Sequence, residues 1–271
     1  MSASRSDATT FWQRAKRLWP ASRPGRGTTA GICPSRQAEL RAQLARIGPL
    51  AAERIELSGF AEPIHILHTA NFQWLLDNAV YDPEQDYMPY WAEIWPSSIV
   101  LADVVSRNQE ALRGRWTLEL GPGVGVPSVA ALKAGAELAV ADYDAGSLAL
   151  TALNGLLETG REPRTMRVNW RNPTREIFTV AGKGFSIILA SDVLYETKDV
   201  RPLVELVEEI LLPGGELWIA EPGRDPAKKV VKALRWRKWR HQSESFPSPR
   251  PDPNYNTWDT VTVHRLRRPV E

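Results

Sequence analysis

The sequence predicts a doubly wound α/β domain, in which a mainly parallel sheet carries helices on both faces. Three observations carry that prediction. From Arg115 onward, short apolar runs alternate with longer stretches of helical periodicity. The first of these runs leads straight into a glycine-rich turn and then a helix. Near the C-terminus, Val261 and Val263 alternate with polar neighbours, which permits one antiparallel strand at an edge.

Residues 1–36 are rich in Ser, Arg, Pro and Gly, and their three aromatics (Phe11, Trp12, Trp19) are too few to build a core. They read as a disordered basic extension. Few acids with many Arg and Ser also describe an organelle transit peptide, whereas no apolar core marks a secretory signal. Residues 37–113 form a helix and strand segment that packs on the core, and residues 114–271 form the core domain. A helix is predicted over 36–47 from Leu40, Leu44 and Ile47, then strands over 54–57 and 63–68 across a turn near Gly59. A helix after Pro96, capped by Ser97 or Ser98, buries Ile99, Val100, Leu101, Val104 and Val105. Strands then follow at 116–120, 138–142, 166–168, 186–189 and 216–220, with helices at 126–134, 145–158 and 200–211. A last strand is predicted over 257–266.

Composition narrows the function classes. With 271 residues, 43% of them apolar, the chain can bury a substantial core. Its apolar runs fall far short of the ~20 residues that span a bilayer. The single cysteine, Cys33, excludes an intrachain disulfide, and four histidines leave little for a zinc site, so no metal is expected. A reducing, cytoplasmic setting fits, with an organelle as the alternative if residues 1–36 are a transit peptide. The net charge of +2 hides an asymmetry. Residues 1–36 carry seven Arg or Lys against Asp7 alone, and residues 224–250 carry nine against two acids. The remainder holds eighteen basic and twenty-nine acidic residues, which argues against a nucleic-acid binder.

Ligands of an open parallel sheet bind beyond the carboxyl ends of its strands. There the first core strand runs into Glu119-Leu120-Gly121-Pro122-Gly123-Val124-Gly125. Glycines let the backbone turn tightly and approach a ligand closely. A dinucleotide fingerprint requires its third glycine at 126, which is valine. Glu119 would repel a pyrophosphate but stabilise a cation, and S-adenosylmethionine carries both an ammonium and a sulfonium. Asp142, ending the second strand, sits where ribose hydroxyls are bound, while Asp144 suits a helix cap. Asn169 can pair with a purine edge; Trp170 covers a ring or is ordinary core.

At these residues the sequence resembles the class I S-adenosylmethionine-dependent methyltransferases. More narrowly, it is similar to the seven-β-strand lysine methyltransferases, which include those of the electron-transfer flavoprotein β-subunit and bacterial relatives. The resemblance rests on residues 89–96 (PYWAEIWP), the glycine loop and residues 191–196 (SDVLYE), with residues 219–224 (IAEPGR) in support. It implies a seven-stranded, mainly parallel sheet with an antiparallel edge strand. It further implies that Glu119, Gly121, Gly123 and Gly125 form the cofactor loop, Asp142 binds ribose, Trp170 borders adenine and Trp95 packs beside the cofactor. Asp192 and Tyr195 match the D-x-x-Y element where the acceptor enters. Asn169 stands where relatives have Asp, and the N-P-P-Y element of amide-nitrogen methyltransferases is absent.

The expected activity is S-adenosylmethionine-dependent N-methylation, with a protein lysine as acceptor. The alternatives are a small-molecule amine methyltransferase or a non-catalytic binding module. Residues 227–240 place Val230, Val231, Leu234 and Trp236 on an apolar face opposite Lys and Arg. That stretch either docks an acidic protein or is a solvated face. The chain is expected to bind S-adenosylmethionine and its demethylated product, but not NAD. Calorimetry that finds NAD bound, and neither methionine-derived ligand, would overturn this.

Overall fold

The computed structural model describes residues 34–79, 88–250 and 259–270. Of the basic extension read from the sequence, residues 1–33 lie outside the described residues, together with Phe11, Trp12 and Trp19. Residues 34–36 already belong to helix α1 (Pro34–Gln43). A short 3-10 turn then leads into a hairpin of β1 (Leu50–Ile55) and β2 (Ile64–Thr69). The hairpin pairs without a break from Leu50↔Thr69 to Ile55↔Ile64. That pairing corrects the predicted strand over 54–57, because partners on β2 hold the chain extended from Leu50 onward.

Helix α2 (Phe72–Asp77) follows, and then α3 (Pro96–Arg107), which starts with proline in its first turn and has Trp95 as its cap residue. No side chain caps α3, against the expectation for Ser97 or Ser98. Proline already fixes the backbone angle there and has no N–H to satisfy. The Ser98 hydroxyl instead donates to the Trp95 carbonyl at 2.7 Å.

After the four-residue α4 (Gln109–Leu112), the alternating core begins. It comprises β3 (Trp116–Leu120), α5 (Val126–Lys133), β4 (Glu137–Asp142), α6 (Ala145–Thr159), β5 (Arg164–Arg167), α7 (Arg175–Ala181), β6 (Phe185–Ser191), α8 (Val200–Ile210) and β7 (Leu211–Glu221). Next come α9 (Asp225–Trp236), β8 (Arg240–Pro247) and β9 (Thr260–Arg267). The seven strands take the order β5-β4-β3-β6-β7-β9-β8. β5 to β7 are parallel, and β9 runs antiparallel to both β7 and β8. The reversed strand therefore lies one place in from the edge, and β8 covers it. Two apolar clusters pack on the two faces. One is supplied by α1, the hairpin, α3, α5 and α6, and the other by α7, α8 and α9.

The polar residues of α6 tie these parts together. Ser147, Thr151 and Asn154 fall four and three residues apart, so they share one helix face, and all three are buried. The Thr151 hydroxyl donates to the Gly123 carbonyl at 3.1 Å, and Ser147 Oγ lies 3.0 Å from the same oxygen. The Asn154 amide donates to the Leu67 and Val124 carbonyls at 2.9 and 2.8 Å, while its oxygen accepts from the Leu67 N–H at 2.8 Å. One side chain thus joins the hairpin edge to the glycine loop. Replacing it by leucine would leave three buried backbone groups unpaired. Asn154→Leu is expected to cost at least about 3 kcal/mol, since each of the three orphaned groups costs about 1–3 kcal/mol. Denaturant titration of the two proteins measures it.

Candidate active site

The sheet order reverses between β3 and β6, so the chain leaves these neighbouring strands in opposite directions and opens a crevice at their carboxyl ends. A cavity of about 460 Å³ lies there. Its floor is the backbone of Gly121, Pro122, Gly123 and Val124. Gly121 and Gly123 sit at φ 61° and 60°, a left-handed conformation that glycine adopts without strain. A Cβ on Gly121 would also lie 2.8 Å from Val193 Cγ1, and one on Gly123 3.2 Å from the Trp91 carbonyl oxygen. The loop cannot carry side chains there without moving its neighbours.

Of the predicted residues, Trp95, Gly121, Gly123, Asp142, Asn169, Trp170, Asp192 and Tyr195 all line this cavity. Glu119 and Gly125 do not. Glu119 is fully buried below the loop, where the Ser128 hydroxyl of α5 donates to its Oε2 in a short hydrogen bond. Its Oε1 has no hydrogen-bond partner among the described residues. Burial is the main cause that pushes this carboxyl up to about 8; Asp142 adds to the rise and Ser128 opposes it. Glu119, read from the sequence as a carboxylate of the cofactor loop that stabilises a cation, thus lies buried behind the loop and outside the cavity lining. Gly125 lies against α6, where a Cβ would come within 2.8 Å of Thr151 Cγ2.

Asp142 is held from two sides. Its Oδ1 accepts from the Asp144 N–H at 2.9 Å and its Oδ2 from the Ser147 hydroxyl at 2.6 Å. Carboxylate oxygens have lone pairs beyond these two bonds, so acceptor capacity remains toward the cavity. Burial pushes Asp142 up to about 6, against the pull of those hydrogen bonds. Asp144 instead caps α6, accepting from the Gly146 N–H at 2.5 Å. The Trp170 ring packs beside Gly121 and closes one wall. The side-chain oxygen of Asn169 accepts from the Arg171 N–H at 3.0 Å, which leaves its amide nitrogen as the donor toward the cavity.

The opposite end is aromatic and charged. Tyr90, Trp95 and Tyr195 form a chain at the mouth, with Tyr90 6.3 Å from Trp95 and 6.2 Å from Tyr195 between ring centres. Tyr195 stays 45% exposed, whereas Asp192 below it is 5% exposed. Asp192 has φ 54°, the left-handed region that a non-glycine residue seldom adopts, and its N–H donates to the Ala220 carbonyl at 2.9 Å. Burial raises its carboxyl above the usual range, and the Arg224 guanidinium, 3.0 Å away, opposes that rise. Arg224 also lies 4.9 Å over the Tyr195 ring.

Sequence reasoning missed several lining residues: Arg224, Arg171, Glu93 and Tyr143. The IAEPGR segment was noticed as family-like, yet nothing in it signalled that Arg224 would meet Asp192. Arg171 pairs with Asp199 at 2.5 Å, a contact between loops that sequence spacing does not show.

The lining suits a cationic nucleoside better than a pyrophosphate. Among the described residues it holds five carboxylates against two guanidiniums, and both guanidiniums are paired with carboxylates. A glycine-rich floor, an acid at the second strand end and a flanking indole also match the parts of an adenosine ligand.

The fold is of Rossmann-like architecture, with its cavity at the topological switch point of the sheet. The family model described as lysine methyltransferase matches residues 85–232, more than half the chain, and the chain belongs to that family. It is 26% identical over 127 residues to the histone-arginine methyltransferase METTL23 of Mus musculus, covering 46% of this chain and 49% of that one. It is 28% identical over 160 residues to the electron transfer flavoprotein beta subunit lysine methyltransferase of Danio rerio, covering 58% of each. The chain thus spans about half the length of these relatives. A solved putative SAM-dependent methyltransferase from Streptococcus mutans shares the fold, with TM-score 0.55 and 16% identity, covering 80% of this chain and 55% of that one.

If Asp142 accepts ribose hydroxyls, binding favours its ionised form. Affinity for the demethylated cofactor product should therefore fall as pH drops through about 6. A loss of about tenfold is expected between pH 7 and pH 5 by calorimetry. Asp142→Asn should bind more weakly at pH 7 and lose this pH dependence.

Proposed function

We propose that this protein transfers a methyl group from S-adenosylmethionine to a side-chain nitrogen of another protein, with lysine as the acceptor. The observation that carries the proposal is the pairing of buried Asp192 with half-exposed Tyr195, across the cavity from Asp142. An acceptor presented on a flexible side chain can reach Asp192 through the aromatic mouth, while the body of its protein remains outside.

S-adenosylmethionine supplies an activated methyl on a positively charged sulfur. The residues of this chain have four tasks. The glycine loop, Asp142 and Trp170 orient the donor, which converts a bimolecular encounter into an aligned one. The rings of Tyr90, Trp95 and Tyr195 exclude water from the approaching nitrogen and stabilise a cation by their faces. Asp192 accepts a proton from the ammonium nitrogen and leaves it a lone pair for the methyl, whose bond to sulfur would break to give a neutral thioether. Its burial favours this, because the same environment that raises its carboxyl strengthens it as a base.

The surface beside the cavity supports a macromolecular acceptor. Arg224 is the cap residue of α9, and Lys229 on that helix donates to Thr197 Oγ1 at 2.9 Å, in the loop that follows Glu196. Lys232, Arg235 and Lys238 are exposed further along, and Trp236 is 87% exposed. The predicted apolar face of α9 keeps Val230, Val231 and Leu234 but not Trp236, which points outward among the cations. Such a surface complements an acidic protein.

Incubation of the protein with radiolabelled cofactor and a cell lysate should label discrete protein bands, with mass spectrometry placing methyl groups on lysine. Label confined to small molecules would defeat the proposal. Asp192→Asn should lower turnover by about 10²-fold or more, the usual contribution of a general base, with cofactor affinity changed less than about twofold. Equal losses in both would move Asp192 into the cofactor site.

A further inference from the structure

Asp192 does not face an empty cation site: the chain's own Arg224 already sits there. Its Nε lies 3.0 Å from Asp192 Oδ1, and its guanidinium carbon lies 4.9 Å from the centre of the Tyr195 ring. A carboxylate below and an aromatic face beside it are the two contacts that recognise any alkylammonium or guanidinium. Resting on the reading of this site as the acceptor site, we propose that Arg224 is a resident mimic of the acceptor and sets its specificity. A cationic acceptor enters by exchanging with the Arg224 guanidinium on Asp192 and Tyr195, and a neutral or anionic group cannot drive the exchange.

Three observations support an exchange of side chains rather than a fixed structural pair. The backbone at Arg224 is pinned independently of the guanidinium. The Glu221 carboxylate accepts from the N–H groups of Gly223 and Arg224 at 2.5 and 2.6 Å, and His264 lies 3.2 Å from its other oxygen. The loop and the start of α9 can therefore hold their places while the side chain turns. The Arg224 side chain is also 25% exposed, against 5% for Asp192, so its route leads toward solvent and not through the core. Finally, Asp192, Tyr195 and Arg224 all line the same cavity, although the two atoms in contact, Asp192 Oδ1 and Arg224 Nε, are themselves shielded from solvent. A buried pair sealed in the core would cost several kcal/mol to part. Here an incoming cation replaces the outgoing one, so Asp192 keeps a counter-charge throughout.

The exchange also links entry to chemistry. While Arg224 stays, its charge opposes the rise of the Asp192 carboxyl and weakens it as a base. Once Arg224 has turned away, the acceptor nitrogen is the cation next to Asp192, and the proton that Asp192 takes is the acceptor's own.

The test uses n-butylammonium as the probe, titrated by calorimetry into the full-length protein saturated with the demethylated cofactor product. Arg224→Met removes the competing charge while keeping the length of the chain. It should bind the probe at least tenfold more tightly than the unaltered protein, with cofactor affinity unchanged. Arg224→Lys should fall between the two, and Asp192→Asn should abolish probe binding. In the unaltered protein, the Nε–H resonance of Arg224 should shift as the probe is added. Equal or weaker binding by Arg224→Met, or an unmoved Arg224 resonance at saturation, would overturn the exchange. None of these readouts needs turnover. Exchange without labelled protein bands would therefore defeat the protein-acceptor reading and leave the exchange standing. Labelled bands without exchange would do the reverse.

Discussion

The polar stripe on α6 is the constraint on which the rest of the site depends. Three of the five residues in the glycine-rich loop have no side chain to anchor them, so hydrogen bonds to the loop's carbonyls help to impose its shape. Thr151 holds the Gly123 carbonyl and Asn154 holds that of Val124. Ser147 lies 2.6 Å from Asp142, so one helix face positions the loop floor and the acid at the next strand end. Through Leu67, Asn154 extends the same register to the hairpin. Thr151 explains Gly125, since any Cβ there would collide with it. The glycines are thus fixed partly by ligand access and partly by a helix that crowds the loop from behind.

The electrostatics follow a single sign. Glu119, Asp142 and Asp192 are all raised, and for each the first cause is burial. Acids held this way release free energy when a cation approaches, because ionisation becomes less costly. For Glu119 the sign can be worked through. Its folded value of about 8 lies above its unfolded one, so the folded state binds the extra proton, and its contribution to stability is lost as pH rises toward 8. The burial of Glu119 thus contributes less to stability in base than in mild acid.

How much of this was legible in the sequence depends on whether the signal was local. β3 and the start of α5 follow from a strand that runs directly into glycines, and their predicted positions agree with the structure. The cavity lining from Trp95 to Tyr195 also came from short motifs. Elements without local periodicity were missed. α7 is only seven residues long, and β8 is an edge strand with mostly exposed residues that show no apolar alternation. β7 begins at Leu211, inside the predicted helix, because pairing with Phe185 on β6 draws the Leu-Leu-Pro-Gly-Gly stretch into the sheet despite its poor strand propensity. Glu119 was read as a carboxylate of the cofactor loop because its charge suggested a cationic ligand. The alternation of β3 puts it instead on the face covered by α5, beside Ser128. Arg224 escaped notice because its partner lies thirty-two residues away, on another strand end.

The strand order has a consequence for how the chain is assembled. β9 is synthesised after β8, yet it occupies the inner place between β7 and β8. When β8 leaves the ribosome, the strand it pairs with does not exist, and the free edge of β7 carries Trp218, Ile219 and Ala220 among the most apolar residues of the sheet. Growth of the sheet from β7 must wait for residues 260–267, which insert as one piece and hydrogen-bond on both sides. The interval before that insertion leaves a long unpaired edge, the feature by which nascent chains recruit one another. His241, Gln242, Ser243, Glu244 and Ser245 on β8 are polar, so that strand can remain in water until its partner arrives.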